Sequence, residues 1–152
     1  MKTTEQILEA ARARAKGQPY AGAVTPEEAF TLLQAAPHVK LVDVRTHAER
    51  DWVGRVVLPE GRQLAVEWAT YPGGQPNPHF GAQLEQVAGK DDILLFLCRS
   101  GVRSRHSARV ATKLGYENAF DILEGFEGDK DADGHRKSVN GWCKAGLPWI
   151  GA

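Results

Sequence analysis

Cysteine is scarce in this chain: two residues in 152, Cys98 and Cys143. Two thiols cannot build a disulfide framework or a cysteine-based zinc site. An excess of either charge is missing too. Nineteen Lys and Arg balance nineteen Asp and Glu, giving a formal net charge of zero. Nucleic acid and anionic membrane both require a basic excess, so neither is expected as the main partner. No stretch approaches the roughly 20 apolar residues of a membrane span. The opening MKTTEQILEAARARAKG has neither the apolar core nor the cleavage pattern of a secretory signal. The histidines His38, His47, His79, His106 and His135 show no ligand-like spacing, so no metal site is expected, and no cofactor is expected either. The expected setting is the reducing cytoplasm, where a free thiol persists.

What the chain does contain is concentrated between Asp91 and Leu114, DDILLFLCRSGVRSRHSARVATKL. An apolar strand, Ile93 to Leu97, delivers Cys98 to a short polar loop. The loop runs straight into a helix whose first turn carries Arg103, Ser104 and Arg105. Free N–H groups at a helix start, the helix macrodipole and nearby guanidinium groups all favour a thiolate over a thiol. The thiolate is a nucleophile, so the pattern points to a cysteine-dependent enzyme. Cys143, beside Trp142 in an apolar helical setting, reads instead as a core or half-buried residue.

The rest of the chain alternates helices and strands. Thr4 to Ala15 reads as an amphipathic helix, packed on the domain or fraying from it. Ala23-Val24 is a short strand, and Thr25-Pro26-Glu27-Glu28 opens a helix to about Gln34 with a capping box and proline at its first position. Lys40 to Val44 is a strand, and Thr46 to Arg50 forms one helical turn. Arg55 to Val57 and Gln63 to Ala65 are weak strand candidates. Residues 71–78, with three prolines and two glycines, read as a surface loop. Phe80 to Val87 is a helix, Ala119 to Leu123 a last strand, and Val139 to Ala145 a last short helix. Such alternation implies an α/β fold, an α/β sandwich around a mainly parallel sheet. Ligands of these sheets bind outside the carboxyl ends of the strands. Both Cys98 and the Asp43–Arg45 pair fall there.

Three stretches together resemble the single-domain rhodaneses, the thiosulfate sulfurtransferases and related rhodanese-like proteins. They are Leu41-Val42-Asp43-Val44-Arg45 followed by Glu49 and Gly54; the loop Cys98-Arg99-Ser100-Gly101-Val102-Arg103-Ser104; and Glu124-Gly125-Phe126 with Asn140-Gly141-Trp142 and Gly146-Leu147-Pro148-Trp149. The resemblance covers about residues 23 to 149. It implies a three-layer fold, with a five-stranded parallel sheet and helices on both faces, and a persulfide carried on Cys98. On this reading residues 1–20 are an accessory helix and residues 21–152 the rhodanese-like domain. Ser100 stands at the loop position where relatives that act on thiosulfate often carry a basic residue.

The expected chemistry follows from the loop. Amides from Arg99 to Ser104 point inward as an anion-binding nest, with Ser100, Gly101, Val102 and Ser104 acting through their N–H groups. Gly101 is the position for a positive φ. The thiolate takes a sulfur from a small donor, thiosulfate or a persulfide. The persulfide then passes it to a thiol, cyanide or a protein acceptor, without a general base. Arg99 and Arg103 are candidates to hold an oxyanion donor. For Arg103 the alternative is a hydrogen bond that shapes the loop. Arg45 could hold the donor with Asp43 orienting it, or the two could form an ion pair that braces the loop. Arg105 and Arg109 belong on the solvated side of the helix, and the four tryptophans are expected to pack.

Two rivals and a decoy complete the reading. Cysteine phosphatases use a C-x5-R loop; here Arg103 follows after four residues, and the shorter loop suits a single sulfur better than a phosphoryl group. A binding module, or a relay that hands its persulfide to a partner protein, uses the same scaffold. Asp129-Lys-Asp131-Ala-Asp133-Gly134 copies half of a calcium loop, but Asn140 occupies the position of the bidentate glutamate, so a solvated turn is expected.

Overall fold

The computed structural model describes residues 3–151. Its centre is the strand Ile93–Leu97 (β7), buried along its whole length. A strand apolar on both faces belongs in the middle of a parallel sheet covered by helices. The sheet has five strands in the order β1-β8-β7-β2-β4, every pair parallel. The other members are Gly22–Val24 (β1), Val39–Asp43 (β2), Gln63–Ala65 (β4) and Ala119–Ile122 (β8).

Alternation along β7 divides the core between two layers of helices. Leu95 and Leu97 face helices Thr4–Arg14 (α1) and Pro26–Ala35 (α2), whose Ile7, Leu8, Ala11, Ala29, Leu32 and Leu33 share one buried cluster with them. Leu94 and Phe96 face Phe80–Val87 (α4) and Val102–Lys113 (α5), through Phe80, Leu84, Ala108 and Ala111. The α/β arrangement expected from the alternating elements is present, in the three layers that the resemblance implies. Of the two states expected for the first helix, α1 adopts the packed one. Arg14 fixes its end by donating to the Ala23 carbonyl at 2.6 Å.

Three helices start on a threonine whose hydroxyl accepts an N3 amide while the N3 side chain returns the bond: Thr3 with Gln6, Thr25 with Glu28, and Thr46 with Glu49. Each such box satisfies two donors that a helix start leaves open. The last opens His47–Trp52 (α3), a little longer than the single turn expected.

The structure departs from expectation in the tail and in two small ribbons. Residues 139–145 form no α-helix. The Trp142 and Cys143 amides donate to the carbonyls of Gly125 and Phe126, so only an isolated turn remains, closed by Ala145 N–H on Gly141. Trp149–Ile150 (β9) pairs antiparallel with Arg55–Val56 (β3), outside the main sheet. The proline-rich loop contains a short ribbon, Ala69–Thr70 (β5) with Gln75–Pro76 (β6). The calcium-like turn closes on itself: Asp131 accepts the amides of Asp133 and His135 and the Ser138 hydroxyl. Among the described residues no helix is long and apolar enough to cross a membrane.

Candidate active site

Cys98 is the first residue after β7, and its side chain lies on the α5 side of the sheet, 1% exposed. The Gly101 amide donates to its Sγ at 3.0 Å. Gly101 reaches this position with φ 112°, a left-handed conformation that a side chain would strain. The Ser104 hydroxyl, one turn into α5, lies 3.3 Å from the same sulfur. The loop is held from behind by the segment after β8. Phe126 N–H donates to the Cys98 carbonyl at 2.8 Å, and Glu127 N–H to that of Arg99 at 3.0 Å. Gly125, at φ 71°, presses so close that a Cβ there would stand 2.5 Å from the Arg99 carbonyl. With the Cys98 and Arg99 carbonyls tied back, the loop aims the Gly101 amide at the sulfur, while the Gly101 carbonyl lies 3.1 Å from the Ser104 hydroxyl.

The expected cationic groups separate into three roles. Arg99 is exposed at the loop. Arg103 is committed elsewhere: its guanidinium forks onto Glu49 at 2.6 and 2.8 Å, tying α5 to α3. That is the shaping alternative for Arg103, with the side chain spent on a carboxylate. Arg45 must be removed from the substrate-binding set. It is fully buried on the opposite face of the sheet, against Asp43 at 2.8 Å, the Gly54 carbonyl at 2.9 Å and the Phe126 ring at 4.3 Å. Its position follows from strand alternation, because Asp43 points away from the side on which Cys98 lies. Ser100 is half-buried and Val102 exposed, while Arg105 and Arg109 face solvent as expected.

Glu49 shows how strongly the brace is polarised. Burial alone would raise its carboxyl, but the Arg103 fork and the Thr46 amide outweigh that and hold it at about 2 against an ordinary 4.5. A depressed acid stabilises the fold above its ordinary value, and the contribution is lost as pH falls through the folded value. Glu49→Gln is therefore expected to lose about 2 kcal/mol of stability at pH 7, a difference that vanishes as pH falls from 4.5 towards 2. Urea unfolding at pH 7 and pH 3 checks it. An equal loss at both would show that charge is not what Glu49 contributes.

Sequence reasoning missed one group. Asp121, in the middle of the otherwise apolar β8, is fully buried and accepts the Ser104 hydroxyl at 2.5 Å. The available signal was a carboxylate inside a run of apolar residues, Ala119-Phe-Asp-Ile-Leu123. The tryptophans pack as expected with one exception. Trp142 and Trp68 meet Phe30 and Phe80 edge-on, and Trp149 meets Phe126. Trp52 is 80% exposed and borders a cavity of about 440 Å³ with Thr46, Ala48, Glu49, Val53 and Tyr71.

A cysteine loop between a parallel strand and a helix, backed by a glycine segment, defines a class that comparison with known families makes explicit. The rhodanese-like domain profile matches residues 25–132, and the chain belongs to that family. It is similar to an uncharacterised protein, the RP600 homologue of Rickettsia rickettsii, with 33% identity over 125 residues, covering 80% of this chain and 91% of that protein. A shorter match, 35% over 66 residues, reaches the thiosulfate sulfurtransferase GlpE of Haemophilus influenzae, covering 43% and 50% of the two chains. Among solved structures, Rv0390 of M. tuberculosis superposes with a TM-score of 0.80 at 44% identity, covering 88% of this chain and 99% of that one. The family thus includes sulfurtransferases, which act on sulfur donors and acceptors.

Proposed function

We propose that the protein is a sulfurtransferase that carries a sulfane sulfur as a persulfide on Cys98. The observation that carries this reading is the Gly101 amide directed at Cys98 Sγ, in a loop whose Cys98 and Arg99 carbonyls are held by the amides of Phe126 and Glu127. An amide so placed stabilises an anion, and both the thiolate and the persulfide are anions. The thiolate attacks the outer sulfur of thiosulfate, the S–S bond to the sulfonate breaks, and sulfite leaves with the bonding pair. The terminal sulfur of Cys98–S–S⁻ then moves to a thiol, cyanide or protein acceptor, restoring the thiolate. Cyanide would leave as thiocyanate.

Enclosure of Cys98 suits a compact sulfur donor better than a bulky phosphate ester. Arg103, bound to Glu49, is also not available to cradle a phosphoryl group. Both points weigh against the phosphatase reading. A relay to a protein acceptor uses the same persulfide, and the reducing cytoplasm is the compartment that keeps such a thiol free.

The test is intact-mass spectrometry after incubation with thiosulfate. The expected result is a gain of one sulfur, mapped to Cys98. No gain with thiosulfate and none with a low-molecular-weight persulfide would overturn the proposal. Arg99 is the exposed arginine of the loop and the group proposed to attract an anionic donor. Arg99→Ala is expected to raise the KM for thiosulfate roughly fivefold with kcat nearly unchanged, the worth of one exposed charge contact. A fall in kcat alone would place Arg99 at the transition state instead.

A further inference from the structure

Besides accepting the Gly101 amide, the Cys98 sulfur is the first member of a buried polar chain. Cys98 Sγ lies 3.3 Å from Ser104 Oγ, and Ser104 Oγ lies 2.5 Å from Asp121 Oδ1. All three side chains are nearly or fully buried. Asp121 Oδ2 has no hydrogen-bond partner among the described residues, an arrangement that is costly for a buried carboxylate. A protonated carboxyl relieves that cost.

A hydroxyl has one hydrogen to give. While Asp121 is ionised, Ser104 donates to Asp121 and can only accept from the Cys98 thiol. When Asp121 carries a proton, the chain reverses: Asp121 donates to Ser104, and the Ser104 hydrogen is released to the sulfur, the Gly101 carbonyl at 3.1 Å being its competing acceptor. The first arrangement suits a thiol and the second an anionic sulfur. They differ by one proton moved along two hydrogen bonds, from Sγ to Ser104 Oγ as the Ser104 hydrogen passes to Asp121 Oδ1.

We infer that Asp121 is a positioning residue that exchanges a proton with Cys98 through the Ser104 hydroxyl, so that the carboxyl is protonated when the sulfur is an anion. The use made of this exchange rests on the proposed sulfur transfer; the exchange itself is a property of the free enzyme. The electrostatics are consistent with it. Burial pushes the Asp121 carboxyl up to about 7, against the lowering effects of the Ser104 bond and of Arg105. The groups facing Asp121 are Ser104 and Arg105 of α5, Cys98 beyond the end of β7, and Tyr20 ahead of β1. The phenol of Tyr20 is raised above 10 by burial and by Asp121, so it stays neutral near pH 7. The strand partners of Asp121, Ala23 and Phe96, bring no charge. Asp121 therefore adjusts the charge of the site without a change in the fold, and the sulfur gains a second hydrogen bond beside that of Gly101.

The test is the pH profile of Cys98 alkylation by iodoacetamide in the full chain. Burial pushes the Cys143 thiol up to about 11, and mapping the adduct keeps the two cysteines apart. The wild type is expected to alkylate in two steps, one near neutrality and one at higher pH, because two coupled groups share protons. Asp121→Asn is expected to show a single step, below the upper step of the wild type, since no carboxylate then opposes the thiolate. A wild-type profile with one step, superimposable on that of Asp121→Asn, overturns the inference. If that variant does not fold, carbon-13 NMR of carboxyl-labelled aspartate in the wild type and in Cys98→Ser decides. The expected result is an Asp carboxyl that titrates near neutrality and whose midpoint moves when Cys98 is replaced; an unmoved midpoint overturns the inference. Two-step alkylation without a sulfur gain from either thiosulfate or a low-molecular-weight persulfide would leave the exchange standing and remove the sulfurtransferase reading. A sulfur gain with one-step alkylation would do the reverse.

Discussion

Cys98→Ser is expected to reduce sulfur transfer to the uncatalysed background and to leave the fold intact. The chemical part of the effect is absolute: an oxygen nucleophile cannot form the sulfur–sulfur bond that stores the transferred atom. The structural part is small. A serine hydroxyl at position 98 can accept the Gly101 amide and remain beside Ser104, so no buried donor is stranded. The expected stability change is under about 1.5 kcal/mol, the range of one hydrogen bond altered. Thiosulfate–cyanide turnover and thermal unfolding, measured on the same preparation, check the two parts together. The control is Cys143→Ser, expected to retain full turnover. Cys143 is half-buried, and its raised thiol stays protonated at neutrality, so it offers neither a nucleophile nor a resolving thiolate. Residual sulfur transfer in Cys98→Ser, lost on further removal of Cys143, would reverse that assignment.

The site was readable where chemistry and local pattern coincide. The run Ile93–Leu97, ending in Cys98 and followed by Arg-Ser-Gly, specifies a central strand, a loop and a helix start within a dozen residues. None of these depends on distant parts of the chain. Asp121 is the opposite case. Its meaning depends on β8 lying beside β7 and on the helical phase that turns Ser104 towards both. Strand order is a long-range property that periodicity does not carry. Ser104 was for the same reason read as a backbone donor, although its hydroxyl is the link. The tail was misread from the same cause. Residues 139–145 read as a short helix, yet Asn140 and Gly141 are poor helix formers and the Trp142 and Cys143 amides bond to Gly125 and Phe126 across the chain. Arg45 shows that a correct motif can still mislead about role. Its pairing with Asp43 was foreseen as one alternative, but only the parity of β2 relative to β7 decides which face receives the guanidinium.

That buried pair supports the second large prediction, which concerns stability rather than chemistry. Asp43 collects four hydrogen bonds: from the Arg45 amide at 3.1 Å, Arg45 Nε at 3.0 Å, Arg45 NH2 at 2.8 Å and Arg50 NH1 at 2.7 Å. Arg45 and Asp43 are both fully buried, and Arg45 NH1 already has no partner among the described residues. Asp43→Ala would leave a guanidinium in the core with only the Gly54 carbonyl and the face of Phe126 to receive it. An uncompensated buried charge costs about 3–5 kcal/mol, a large share of the roughly 5–15 kcal/mol that holds a domain together. The expected fall in Tm is on the order of 10 °C. The damage should also reach the loop, because Phe126 both carries Arg45 on its ring and donates its amide to Cys98. The double variant Asp43→Leu with Arg45→Met separates the cost of the stranded Arg45 charge from the worth of the pair, since it also removes the desolvation that opposed these two ions, and in both variants Arg50 keeps Gln63 as its partner at 2.8 Å. It is expected to unfold at a higher temperature than Asp43→Ala alone. A double variant less stable than the single would mean that the ion pair, rather than the avoidance of a lone charge, supplies the stabilisation beneath the loop.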